Sequence, residues 1–210
     1  MTLLTNGRIY LDWNATSLIC NPARTVFLDL INEVGNPSSI HLEGRKARII
    51  VESSRDQIQE LLGFADGKLV FTSGATEAAA LILHNTNFSC SPIEHECVKK
   101  WCNISIPVNG AGQVDERESA NLNVLQIANS ETGVLQNIPK SLYCTDAVQA
   151  IGKVNCDFQE LTPKTVIMSS HKIGGPKGVG AAFLKDEAKI APLIKGGMQE
   201  MGYRAGTENF

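Results

Sequence analysis

The chain has 210 residues, of which 43% are hydrophobic, and a formal net charge of −3. That is enough apolar material for a real core, and a single α/β domain is the default at this length. The near balance of 19 basic and 22 acidic residues leaves no basic block to follow a nucleic-acid backbone or an anionic lipid surface, and no basic leader with an apolar run opens the chain. A soluble, cytoplasmic protein with no nucleic-acid or membrane partner is expected.

Taken in chain order, the apolar residues Ala47, Ile50, Val51, Ile58, Leu61 and Leu62 recur at helical spacing, which predicts an amphipathic helix from Glu43 to Leu62 ended by Gly63. Leu69-Val70-Phe71 then reads as a strand, Thr72-Ser73-Gly74 as a tight turn, and the alanine-rich stretch Ala75 to Leu83 as a second helix. Further strand-length runs lie at Val124 to Ala128, Leu142 to Cys144, Val166 to Met168 and Gly178 to Leu184, each followed by polar residues. About a dozen residues separate the second run from the first, close to the minimum for a parallel crossover, so a helix there is short or absent. In an open α/β sheet, ligands bind beyond the carboxyl ends of the strands, where these polar residues would gather.

Four places carry possible chemistry, and each also has a plain structural reading. The turn Thr72 to Glu77 could hold a phosphate on the free N–H groups of a helix start, or could be only a cap. Lys172, in the glycine-rich stretch Ser169 to Gly180, could be an amine nucleophile that holds an aldehyde cofactor, or a solvated loop lysine. Asp146, with Gln149 three residues on, could pair with a cofactor's pyridine nitrogen or cap a helix. His95 could stack on a ring or relay protons, or be structural. The four histidines His41, His84, His95 and His171 show no metal-ligand spacing. The six cysteines Cys20, Cys90, Cys97, Cys102, Cys144 and Cys156 form no CxxC pair and read mostly as reduced core residues.

Together, in this order, these segments resemble the NifS/IscS-like cysteine desulfurases of the class V aminotransferase family. The likeness runs from Tyr10-Leu11-Asp12-Trp13-Asn14-Ala15-Thr16 through Gly35-Asn36-Pro37-Ser38-Ser39-Ile40-His41, the Thr72 to Glu77 turn and Glu94-His95. It continues through Asn129-Ser130-Glu131-Thr132-Gly133, Thr145 to Ala150, Ser169 to Gly180 and Arg204-Ala205-Gly206-Thr207-Glu208-Asn209. The resemblance implies the fold type I large domain of pyridoxal-phosphate (PLP) enzymes, a mostly parallel central sheet flanked by helices, with 1–35 as an N-terminal segment and 36–210 as the cofactor-binding core.

It also implies roles. Lys172 would hold PLP as a Schiff base and later move protons, with His171 and Ser169 beside it and Ser169 on the phosphate. Ala75 and Thr76 would bind phosphate, His95 would stack over the ring, Asp146 would pair with the ring nitrogen and Gln149 with the ring hydroxyl. Thr207 would reach the phosphate of a partner subunit, which implies a homodimer. L-cysteine would be the substrate, and the sulfur would pass as a persulfide to an acceptor or iron–sulfur scaffold protein. Ser130 stands where the family motif usually has a second, cofactor-contacting asparagine, Ala79 and Ala80 stand where asparagines are common, and Met198 interrupts a run of glycines. Family members continue into a small C-terminal domain with the persulfide cysteine, so the chain is expected to be a fragment or shortened product. Cys97 is a possible substitute nucleophile, with hydrophobic filling as its plainer role. A non-catalytic PLP-binding remnant and another class V aminotransferase or lyase are the competing readings.

Overall fold

The computed structural model describes residues 2–3, 7–64, 66–140 and 142–210. The short strands β1 (Thr2–Leu3) and β2 (Ile9–Tyr10) pair antiparallel. Helix α1 (Asn21–Leu30), in the segment for which the sequence predicted no element, starts with Pro22 in its first turn, where a missing N–H goes unneeded, and buries none of its residues. Helix α2 (Leu42–Leu62) begins at a His41 cap and stops at Gly63, whose φ of 71° is the left-handed conformation that ends a helix most cheaply at glycine. It matches the predicted amphipathic helix to within one residue.

Next come β3 (Lys68–Thr72), α3 (Ala75–Leu83), β4 (Ser89–Cys90), α4 (Glu96–Lys99), β5 (Asn103–Ile104), β6 (Val124–Gln126) and β7 (Cys144–Asp146). The chain continues with α5 (Phe158–Leu161), β8 (Thr165–Ser169) and β9 (Gly180–Leu184), with a short 3-10 turn at Ser170–Lys172 and another at Gln199–Gly202. The main sheet has seven strands in the order β3-β9-β8-β7-β6-β4-β5. β9 runs antiparallel to both neighbours, and the remaining pairings are parallel. A short loop permits nothing else, because a parallel return needs a crossover of a dozen or more residues and 170–179 is shorter.

Between β6 and β7 the crossover contains no helix among the described residues; it returns through an isolated bridge between Ala128 and Leu135. The strand expected at Leu142 to Cys144 lies two residues later. Asp146 is therefore the last residue of β7, paired opposite Ile167, and not two residues beyond the strand.

β8 and β9 are buried along their whole length, which is why Val166 to Met168 and Ala181 to Leu184 read in sequence as apolar runs. Their alternate residues face opposite sides. Val70, Ile167, Ala182 and Leu184 meet α3 in one half of the core. Leu69, Val166, Met168 and Phe183 meet Phe64 and Phe158 in the other, where Phe64 stacks on Phe183 at 3.9 Å between ring centroids. Each of these side chains larger than alanine contributes roughly 1.5–3 kcal/mol through burial.

A buried ion pair ties the carboxyl-terminal turn to this core. Arg55 of α2 meets Glu200 in two parallel hydrogen bonds of 2.8 and 3.1 Å, and Glu200 also accepts from the Phe71 N–H at 2.8 Å. Arg55 donates as well to the Leu69 carbonyl, and its guanidinium lies 4.9 Å from the centre of the Phe71 ring. These contacts hold Glu200 and Met201 in left-handed backbone, with φ of 46° and 57°, which non-glycine residues adopt only when their surroundings impose it. Removing either partner strands a buried charge, so Arg55→Ala or Glu200→Ala is expected to lower unfolding stability by about 3–5 kcal/mol. Urea titration measures this, and the double variant should lose clearly less than the sum of the two single losses.

Candidate active site

A cavity of about 470 Å³ opens where β3, β7 and β8 end and β9 begins. It is lined by nine of the ten residues singled out in the sequence: Ala75, Thr76, His95, Ser130, Asp146, Gln149, Ser169, His171 and Lys172. Thr207 does not reach it; it lines the neighbouring groove, which shares Ser73, Gly178 and Val179 with the cavity.

One wall is the start of α3. Gly74 is its N-cap and makes no side-chain cap bond, and the first-turn N–H groups of Ala75 and Thr76 lie beyond the reach of intrahelical acceptors. Glu77, which could compete for these donors, is occupied elsewhere: it accepts from the Ser73 N–H at 2.7 Å and from Arg204 Nε at 2.9 Å. The turn is pressed against β9. A Cβ on Gly180 would sit 2.5 Å from the Gly74 carbonyl carbon, so only glycine permits this approach.

The lining also carries cations. Lys172 Nζ donates to the carbonyls of Asn14 at 2.5 Å and Ala15 at 2.9 Å. Burial lowers its pKa, partly offset by the charges of Asp12, Asp146 and Glu131. Burial likewise lowers His171, with further lowering from Lys172, Lys177 and Lys153. His171 Nδ1 is 3.1 Å from the Thr16 hydroxyl, and its carbonyl accepts from Ser17 Oγ at 2.7 Å. Gln149 Nε2 donates to the Asn14 carbonyl at 2.9 Å, and Lys153 donates to Gln149 Oε1.

Asp146 is buried at the end of β7. Its Oδ1 accepts from the Val148 N–H at 2.9 Å, so the capping contact anticipated as an alternative exists as a local turn rather than a helix start, and the carboxyl still lines the cavity. Burial raises its pKa, against lowering by that hydrogen bond and by His95 and Lys172. Behind it lies Glu94, whose Oε1 accepts from Ser91 Oγ at 3.1 Å and the Gln126 N–H at 3.2 Å, while Oε2 is buried without a partner. Burial, and secondly the charge of Asp146, raises the Glu94 pKa far above its ordinary value. Sequence reasoning named Glu94 in the Glu94-His95 segment but assigned it no role.

Ser130 donates to Glu131 at 3.3 Å, and its carbonyl accepts from Asn14 Nδ2 at 3.4 Å. Ala79 lies in the buried core beneath α3, where an asparagine amide would need partners. Cys97 does line the cavity, but burial and the Asp146 charge push its thiol up to about 12, which makes it a poor nucleophile at neutral pH. The cysteines are all free; Cys90 and Cys144 are buried as expected and Cys20 is exposed. No group of three or more His, Cys, Asp or Glu side chains is arranged to hold a metal, and no helix is long and apolar enough to cross a membrane, among the described residues.

A helix start with free N–H groups, a lysine of lowered pKa and a buried carboxyl around one cavity of an α/β sheet define a PLP-type large domain. The chain belongs to the class V aminotransferase family, whose description, "Aminotransferase class-V", matches residues 9–210 and whose members work with pyridoxal phosphate. It is 37% identical to a cysteine desulfurase of Cereibacter sphaeroides over 96% of this chain and 62% of that protein. It is 33% identical to the cysteine desulfurase IscS of Dictyoglomus turgidum over 96% of this chain and 60% of that one. A NifS-like protein from Rickettsia africae superposes with a TM-score of 0.88 at 33% identity, covering 96% of this chain and 64% of the other. The chain thus spans about three-fifths of the length of these curated relatives.

Glu94→Gln offers a direct test of the acid pair. An acid raised by folding leaves stability intact below its unfolded pKa, near 4.5 for glutamate, and takes stability away as pH rises above it. The glutamine matches the neutral acid in shape, so the variant's stability relative to the parent should grow as pH climbs from 4.5 toward neutrality. Denaturation midpoints across that range measure it; a constant difference would count against a neutral Glu94.

Proposed function

We propose that the chain binds PLP in this cavity and serves cysteine desulfurization, the removal of sulfur from L-cysteine to leave L-alanine, with a thiol as sulfur acceptor. The observation that carries the reading is the convergence of Lys172, Asp146 and the first turn of α3 on one cavity from three distant parts of the chain. The residues fit the cofactor. The Ala75 and Thr76 N–H groups, the dipole of α3 and Ser169 hold a dianionic phosphate, and the nearby Lys177 adds charge of the right sign. Asp146 holds a protonated ring nitrogen, and a cation there returns to its carboxyl the solvation that burial removed.

Bound PLP supplies an electron-accepting ring to the amino acid it carries. Lys172 Nζ holds the aldehyde end and afterwards accepts and returns a proton; its lowered pKa favours the neutral amine this requires. When displaced, that amine has a resting place on the Asn14 and Ala15 carbonyls. His95 covers one ring face, and Gln149 and Ser130 lie within the same lining to contact ring substituents. Thr207 acts on the phosphate of a second copy, in a homodimer, and the sulfur passes to an acceptor protein such as an iron–sulfur scaffold in the cytoplasm. The names of the relatives support the substrate, and the motif order supports the residue roles.

Incubation with PLP is expected to give a visible absorption band, and borohydride followed by peptide mapping should place the reduced adduct on Lys172. Lys172→Ala should abolish both; an adduct elsewhere, or none, would remove the cofactor reading. With L-cysteine and dithiothreitol, the PLP-loaded protein should release alanine and sulfide in equal amounts, and Asp146→Ala should lower that rate by two or more orders of magnitude, roughly 3 kcal/mol of barrier or more. Cofactor binding without alanine would leave PLP binding and withdraw the desulfurase assignment.

A further inference from the structure

His95 and Cys97 both face the cavity, two residues apart at the start of α4. His95 is the N-cap of that helix, and its Nδ1 lies 3.2 Å from the Cys97 N–H. A main-chain N–H can only donate, so this contact favours a lone pair on Nδ1. The Cys97 sulfur sits 3.0 Å from the same Nδ1. Since Nδ1 already accepts the Cys97 N–H, the 3.0 Å contact is one in which the S–H donates to the same lone pair. Two donors from one residue therefore converge on a single ring nitrogen. The neutral imidazole is left with its proton on Nε2.

We propose that Cys97 is a positioning residue for His95: its main-chain N–H and its thiol together hold the imidazole in the Nε2–H tautomer, so that the ring presents a proton donor to the cavity. In this state Nε2 hydrogen-bonds to a lone-pair acceptor of the ligand, such as a carboxylate, phenolate or thiolate, and it takes up a proton only after giving up the one it holds. The thiol, unsuited as a nucleophile, thereby acquires a task at the site. The identity of the ligand rests on the PLP reading above, whereas the tautomer does not.

The test is a nitrogen-15 correlation spectrum of the histidine rings in the protein without added PLP, with the His95 signal identified by its loss in His95→Gln. The expected spectrum shows His95 with a bare Nδ1 and a protonated Nε2. Cys97→Ala should bring up the Nδ1–H form beside it, and Cys97→Ser, whose hydroxyl restores a donor, should return the ring to the single form. A wild-type His95 protonated at Nδ1 overturns the proposal whether or not the alanine variant folds, as does a Cys97→Ala spectrum identical to the parent's. Failure of PLP to bind would leave these spectra readable, and PLP binding beside an Nδ1–H ring would sink this proposal while sparing the functional one.

Discussion

The site depends on how closely β9 approaches the turn before α3. Gly180, the first residue of β9, pairs with Thr72 on one side and Ser169 on the other, and its missing side chain lets Gly74 lie against it. One antiparallel strand thus serves as the spacer between the strand that ends at the turn before α3 and the strand that ends at the lysine loop. Its direction matters as much as its position. Because β9 runs against its neighbours, its beginning lies at the edge where β3 and β8 end, and the Ser170 to Val179 loop must fold over that edge to enter it. Lys172 stands beside the first turn of α3 for this reason.

Around the cavity, charge is graded. The helix start and Lys172, Lys177 and His171 make one part electropositive, which suits a phosphate, whereas Asp146 is a buried acid at a strand end, which suits a ring cation. Burial disfavours the charged form on both sides, lowering Lys172 and His171 and raising Asp146. A ligand carrying the opposite charges would relieve each of these groups, so the unliganded fold holds desolvated charge that binding compensates. Glu94 extends the pattern inward: placed behind Asp146 with an unpartnered oxygen, it is pushed toward the neutral form by burial and by the charge of Asp146.

The N-terminal segment closes the lysine side. Tyr10 braces the turn, its hydroxyl lying 2.8 and 2.9 Å from the carbonyls of Asp12 and Thr16, which share its one hydrogen. Ser17 then links to His171 and to the Gly174 N–H, and Asn14 touches Lys172, Gln149 and Ser130. At the far end of the chain, Glu200 is fixed by Arg55, and Arg204 occupies Glu77 at the helix start, so both ends of the described chain brace the site.

Much was legible in the sequence because much of it is local. The period of Ala47, Val51 and Ile58 marks a helix, the alanine-rich stretch after Gly74 marks a helix start with free N–H groups, and the centres of β8 and β9 are apolar because both their faces are covered. The order of the motifs was enough to establish the family and to bring nine of the ten named residues to one cavity. What the sequence could not show is contact between residues far apart along the chain. No local pattern pairs Arg55 with Glu200, sets Asn14 and Ala15 on Lys172 or places a neutral Glu94 behind Asp146, since each contact exists only once the strands are ordered and water is excluded. The tautomer of His95 belongs to the same class. A neighbour two residues away was visible in the sequence, but whether its N–H and thiol meet Nδ1 depends on the turn of the backbone and on the burial that keeps the thiol protonated.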